Sequence, residues 1–167
     1  MAELSRLVAA GAGSGARSRS AAIPREGVAD GSDSSRVLVV DDNQEMRDWL
    51  VRFLSRHHRV IAAEDGEAGL SMALETLPDL ILSDVMMPGI DGHELCRRLK
   101  SDIRTRNIPV VLITARHGPD AAVEGLQAGA DDFILKPFSP QELLARIGTQ
   151  LRVRQLVTTL IRAEKQG

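Results

Sequence analysis

Five short apolar runs constrain the fold of this chain more than any other feature. Residues 37–40, 60–63, 80–82, 110–113 and 133–135 are unbroken in hydrophobicity rather than alternating with polar positions. Strands buried on both faces read this way, as they do in a parallel sheet. Helical patterns lie between them. Met46, Trp49, Leu50, Phe53 and Leu54 recur at i, i+3, i+4, i+7 and i+8, and Leu70, Ala73, Leu74 and Leu77 form a second stripe. Asp91 with Glu94 predicts a helix start, weakened by Gly92 in the first turn. Ser139-Pro140-Gln141-Glu142 predicts a stronger one, a capping box with proline at the first helical position. That last helix should bury Leu144, Ile147 and Leu151. Five strands in strict alternation with five helices predict a doubly wound α/β fold.

Composition removes several function classes. A net charge of -2 over 167 residues gives no support for non-specific nucleic-acid binding, and 2% aromatics offer no base-stacking platform. The single cysteine, Cys96, excludes an internal disulfide and reads as a packed small hydrophobe beside Leu95 and Leu99. No apolar run approaches the roughly 18 residues of a membrane span. Leu7 to Ala12 is too short for a signal-peptide core, so a cytoplasmic location is expected. Residues 1–35, rich in Gly, Ala and Ser, read as a flexible tail or linker. The stretch Gly11-Ala12-Gly13-Ser14-Gly15 is not a phosphate loop, since no strand precedes it and no Gly-Lys-Ser/Thr follows. His57-His58 is expected to close the first helix, where positive charge suits the dipole.

Polar chemistry sits at the carboxyl ends of four apolar runs. Asp41 and Asp42 follow the first, Asp84 the third, Thr114 the fourth and Lys136 the fifth. Singly, each has an ordinary explanation. Asp42 or Asn43 is a candidate cap for the first helix, Thr114 a β-former, and Lys136 a solvated cation. Together they make a site suited to magnesium and a phosphoryl group. Carboxylates brought within ~4 Å repel by about 4 kcal/mol per pair at an effective dielectric near 20, and a hard divalent cation relieves that.

The residues Val37-Leu38-Val39-Val40-Asp41-Asp42, Ser83-Asp84-Val85-Met86-Met87-Pro88-Gly89, Thr114-Ala115 and Lys136-Pro137-Phe138, in this order and spacing, resemble a response-regulator receiver domain of two-component signalling. The resemblance covers residues 36–152. It implies a flavodoxin-like sheet of order 2-1-3-4-5, which brings Asp41, Asp42 and Asp84 together at the switch point. It implies a module that accepts a phosphoryl group on Asp84 from a histidine kinase or phosphotransfer protein, rather than an enzyme. Asp42 and Asp84 would ligate magnesium directly, Asp41 partly through water, and the Met86 carbonyl would complete the protein share. Lys136 would meet the phosphoryl oxygens. Thr114 would move toward them and Phe133 would rotate into the vacated space. That change would remodel a docking surface for a protein target or a fused output domain.

Rival readings fit less well. A haloacid-dehalogenase-like phosphatase needs an acid two residues after its nucleophile, and Asp41 is followed there by Asn43. An FMN binder of the same fold needs a Ser/Thr-rich loop after the first strand, which is missing. A receiver cut from a larger hybrid kinase remains a parallel reading. Residues 153–167 are too few for a winged or helix-turn-helix domain, so direct DNA binding is not expected. Val153, Leu156, Val157, Leu160 and Ile161 instead predict a helical extension, continuous to about Arg162, with weak self-association through it.

Overall fold

The computed structural model of the chain describes residues 35–116 and 118–166. All of the expected linker at residues 1–35 except Ser35 lies outside the described residues. The elements are β1 (Arg36–Val40), α1 (Gln44–Leu54), β2 (Arg59–Ala63), α2 (Gly66–Thr76), β3 (Leu80–Asp84), α3 (Gly92–Ser101), β4 (Val110–Thr114), α4 (Pro119–Ala128), β5 (Asp132–Leu135) and α5 (Pro140–Gln166). The strands form one five-stranded parallel sheet in the order β2-β1-β3-β4-β5. This is the expected doubly wound, flavodoxin-like arrangement. β1 pairs with β2 on one side and with β3 on the other, which makes the β1/β3 edge the switch point.

Alternate residues of each strand feed two separate cores. Leu38, Val40, Ile81, Val110 and Leu112 meet Ala73, Leu95, Leu99 and Ala128 from α2, α3 and α4. Val37, Val39, Leu80, Leu82, Val111, Ile113 and Ile134 meet Leu50 and Leu54 of α1 and Leu143, Ile147 and Leu151 of α5. Helices cover both faces, which is why the apolar runs are unbroken in sequence.

Local chemistry starts each helix. Asn43 Oδ1 accepts the Met46 N–H at 2.9 Å, so Asn43 rather than Asp42 caps α1. Asp65 and Asp91 cap α2 and α3 through the N–H groups of Ala68 and Glu94. Ser139 Oγ accepts the Glu142 N–H at 3.0 Å. The predicted capping box forms only this half, because the Glu142 carboxylate turns to Arg146 instead.

Three expectations need correction. His57-His58 does not close α1, which ends at Leu54 with Ser55 as its cap. Leu77 is not part of the buried stripe of α2. It is the left-handed C-cap at φ 48° and is exposed, while Gly66, Gly69 and Ala73 form the buried face. The reason is close approach: a Cβ on Gly69 would lie 2.9 Å from Val40 Cγ2, so the helix packs on the sheet through small residues. In α5 the fully buried leucine is Leu143, and Leu144 is only partly buried.

Helix α5 runs unbroken to Gln166, past the expected limit at Arg162. Among the described residues its last buried one is Leu151, after which Val153, Leu156, Leu160 and Ile161 are exposed. Arg154 Nη1 donates to the Asn107 carbonyl at 3.3 Å and ties the start of this extension to the loop before β4. Among the described residues, no helix is long and apolar enough to cross a membrane.

Candidate functional site

The sheet brings together most of the side chains singled out from sequence. Asp41 and Asp42 follow the end of β1, Asp84 ends β3, Thr114 ends β4 and Lys136 follows β5. Carboxylate oxygens of Asp41, Asp42 and Asp84 all lie within 4.8 Å of one another. Lys136 Nζ sits 3.3 Å from Asp84 Oδ1 and is the cation paired with the cluster. Asp41 and Asp84 are buried, and Asp42 is exposed.

Three acids face one ammonium group, so the cluster carries surplus negative charge. Burial pushes the Asp41 carboxyl up to about 6, against the stabilising Asn43 N–H, and the charges of Asp84 and Asp42 add to the rise. Asp84 is also raised, first by burial, with Lys136 pulling the other way. These are hard oxygen donors of mixed burial, held close at an electrostatic penalty. That donor set fits an octahedral, oxygen-seeking cation such as magnesium.

Second partners hold the acids in place. Asp41 Oδ1 accepts the Asn43 N–H at 2.9 Å, and Arg47 Nη1 donates to the Asp41 carbonyl at 2.8 Å. Ser83 Oγ donates to the Asp84 carbonyl at 2.9 Å. Sequence reasoning missed Arg47 and Ser83, because each acts on a backbone carbonyl that no motif marks. It also read Gly92 only as a weakness. The Gly92 N–H donates to the Val85 carbonyl at 2.9 Å, and a Cβ there would collide with the Asp84 carbonyl oxygen. Glycine therefore lets α3 start directly against the backbone of Asp84.

Thr114 is buried, and its Oγ1 accepts the Arg116 N–H at 3.0 Å. The hydroxyl proton stays available for donation. Phe133 stands opposite Leu112 in the sheet, partly buried against the core under α4. The Met86 side chain is 57% exposed at the rim. Cys96 is fully buried, and burial pushes its thiol up to about 11, so it packs as a small hydrophobe.

The chain belongs to the response regulator receiver domain family, which matches residues 37–148. It is 44% identical over 135 residues to the response regulator PleD of Caulobacter vibrioides, covering 80% of this chain and 30% of that protein. It is 41% identical over 122 residues to histidine kinase P4 of Formosa agariphila, covering 73% of this chain and 9% of the kinase. The chain thus spans less than a third of either relative. The crystal structure of a putative response regulator from Chloroflexus aurantiacus superposes with a TM-score of 0.68 at 36% identity, covering 72% of this chain and 99% of that one.

Proposed function

We propose that this receiver domain takes a phosphoryl group onto Asp84 and uses it to change a docking surface. The observation that carries the reading is the convergence of Asp41, Asp42 and Asp84 within 4.8 Å, with Lys136 at 3.3 Å from Asp84. In the transfer, an Asp84 carboxylate oxygen forms a bond to phosphorus as the P–N bond of a phosphohistidine breaks. The imidazole nitrogen keeps the electron pair. Asp41, Asp42, Asp84 and the Met86 carbonyl would hold magnesium, which supplies positive charge to the phosphoryl oxygens. Lys136 provides a second cation to those oxygens. Thr114 donates its hydroxyl, and Phe133 follows it.

The donor is a histidine kinase or phosphotransfer protein, which implies a cytoplasmic location. The recipient of the signal is a protein target or a fused output domain. The chain acts as a phosphoryl acceptor rather than an enzyme. A second reading, a receiver module within a larger hybrid kinase, is favoured by the match to one stretch of histidine kinase P4. It leaves the chemistry at Asp84 unchanged.

Intact mass after incubation with acetyl phosphate tests the assignment. The wild-type chain should gain one phosphoryl group with magnesium and none with a chelator. Asp84→Asn should gain none under either condition. Equal labelling of wild type and variant would overturn the assignment.

A further inference from the structure

Gly125 lies in the interior of α4, where only proline is less favourable than glycine. It is buried, and its neighbour is the ring of Phe133. A Cβ on Gly125 would lie 2.7 Å from Phe133 Cε1, 3.1 Å from Cδ1 and 3.4 Å from Cζ. Non-bonded carbons rest at about 3.5 Å or more. The ring therefore occupies space that a side chain at position 125 would fill. The atoms in the way belong to a side chain, so a rotation of the ring can relieve the clash.

The sheet register shows which side chain neighbours the ring on its face. Phe133 is paired with Leu112, and Thr114 with Leu135. Leu112 and Thr114 are two residues apart, so both point to the same face as Phe133. Toward the carboxyl ends of the strands, the next side chain on that face of β4 is Thr114. Its hydroxyl is held by one backbone N–H, that of Arg116.

We propose that Gly125 is a notch that sets the balance of Phe133 between two seats, one on α4 and one beside Thr114. The proposal rests on the phospho-acceptor reading of Asp84 and adds a residue that positions the switch. Filling the notch removes the first seat and moves the ring to the second without a phosphoryl group. A ligand that favours the second seat then binds more tightly, because the ring has already moved.

The test is Gly125→Ala in the full chain, read by aromatic NMR without ligand and by titration with beryllofluoride and magnesium. Contacts between the Phe133 ring and the Thr114 methyl should appear, and those to α4 should weaken. Beryllofluoride affinity should rise about three- to tenfold. In a Phe133→Leu background the same substitution should change affinity by less than about twofold, because the far ring carbons are gone. Ring spectra identical to wild type, or an equal gain in both backgrounds, would overturn the notch. Gly125→Ser must act in the same direction, and loss of the fold in both fillers would show that the ring has no second seat. A wild-type protein that ignores beryllofluoride would defeat the Asp84 reading instead. The ligand-free ring spectra judge the notch separately.

Discussion

The two ends of the sheet treat charge in opposite ways. At the amino-terminal end, acids meet partners. Asp79 accepts the Arg36 N–H at 2.9 Å. Asp131 accepts the Val110 N–H and pairs with Lys100, both at 2.8 Å. Asp132 pairs with Arg146 at 2.9 Å. At the carboxyl end, Asp41 and Asp84 are buried beside Asp42 with a single lysine among them. The first end is satisfied and serves stability. The second holds unresolved repulsion, which a bound cation would relieve. The contrast separates carboxylates that maintain the fold from carboxylates that cost it stability, the pattern in which functional sites concentrate.

Neutralising one acid at each end should therefore shift stability in opposite directions. The larger effect belongs to Asp41→Asn. The folded-state value of about 6 lies above the ordinary 3.8, so the folded protein holds this proton more tightly than the unfolded chain. Between those values the contribution of Asp41 to stability falls as pH rises. Without metal, the substitution should raise stability by on the order of 2–3 kcal/mol near pH 7 and by almost nothing below about pH 4. Asparagine keeps an oxygen for the Asn43 N–H. Urea melts across that range, with and without magnesium, measure the effect. A difference that stays flat with pH would erase the contrast.

At the other end, Asp131→Ala should destabilise by about 1–2 kcal/mol, since it strands the Val110 N–H and removes the ion-pair partner of Lys100. The same melts measure it, and magnesium should not alter the loss. A magnesium-dependent loss would mean that the two ends are coupled. The smallest effect belongs to the α5 extension, which leaves from this satisfied end. Arg154 ties it to the domain through a bond to the Asn107 carbonyl at 3.3 Å. Ending the chain at Arg152 should cost less than about 1 kcal/mol and leave phosphoryl uptake within about twofold. Sedimentation should show weak self-association only for the full chain. If both forms run as monomers at high concentration, with and without beryllofluoride, Leu156 and Leu160 do not cover a second copy.

Much of this was written in local sequence, for a physical reason. Burial on both faces forces unbroken apolar runs, so the five strands were legible from Val37 to Leu135. Helix starts were legible at Asp91 and Ser139, because a cap bonds an N–H only three residues away. Asp41, Asp42, Asp84, Thr114 and Lys136 could be singled out because each directly follows or ends an apolar run. Their distances were not legible, nor was the role of any residue that acts on distant backbone. Arg47 at the Asp41 carbonyl belongs to that class, and so does Gly92 against Asp84. Leu143 and Leu144 are both apolar and adjacent, and only the placement of α5 on the sheet decided which is buried. Gly125 reads as a flaw in α4 until β5 lies beside it with Phe133 in the gap. Periodicity and capping are contacts within a few residues, so sequence carries them. Close approach between separate elements exists only once the sheet has assembled and brought those residues together.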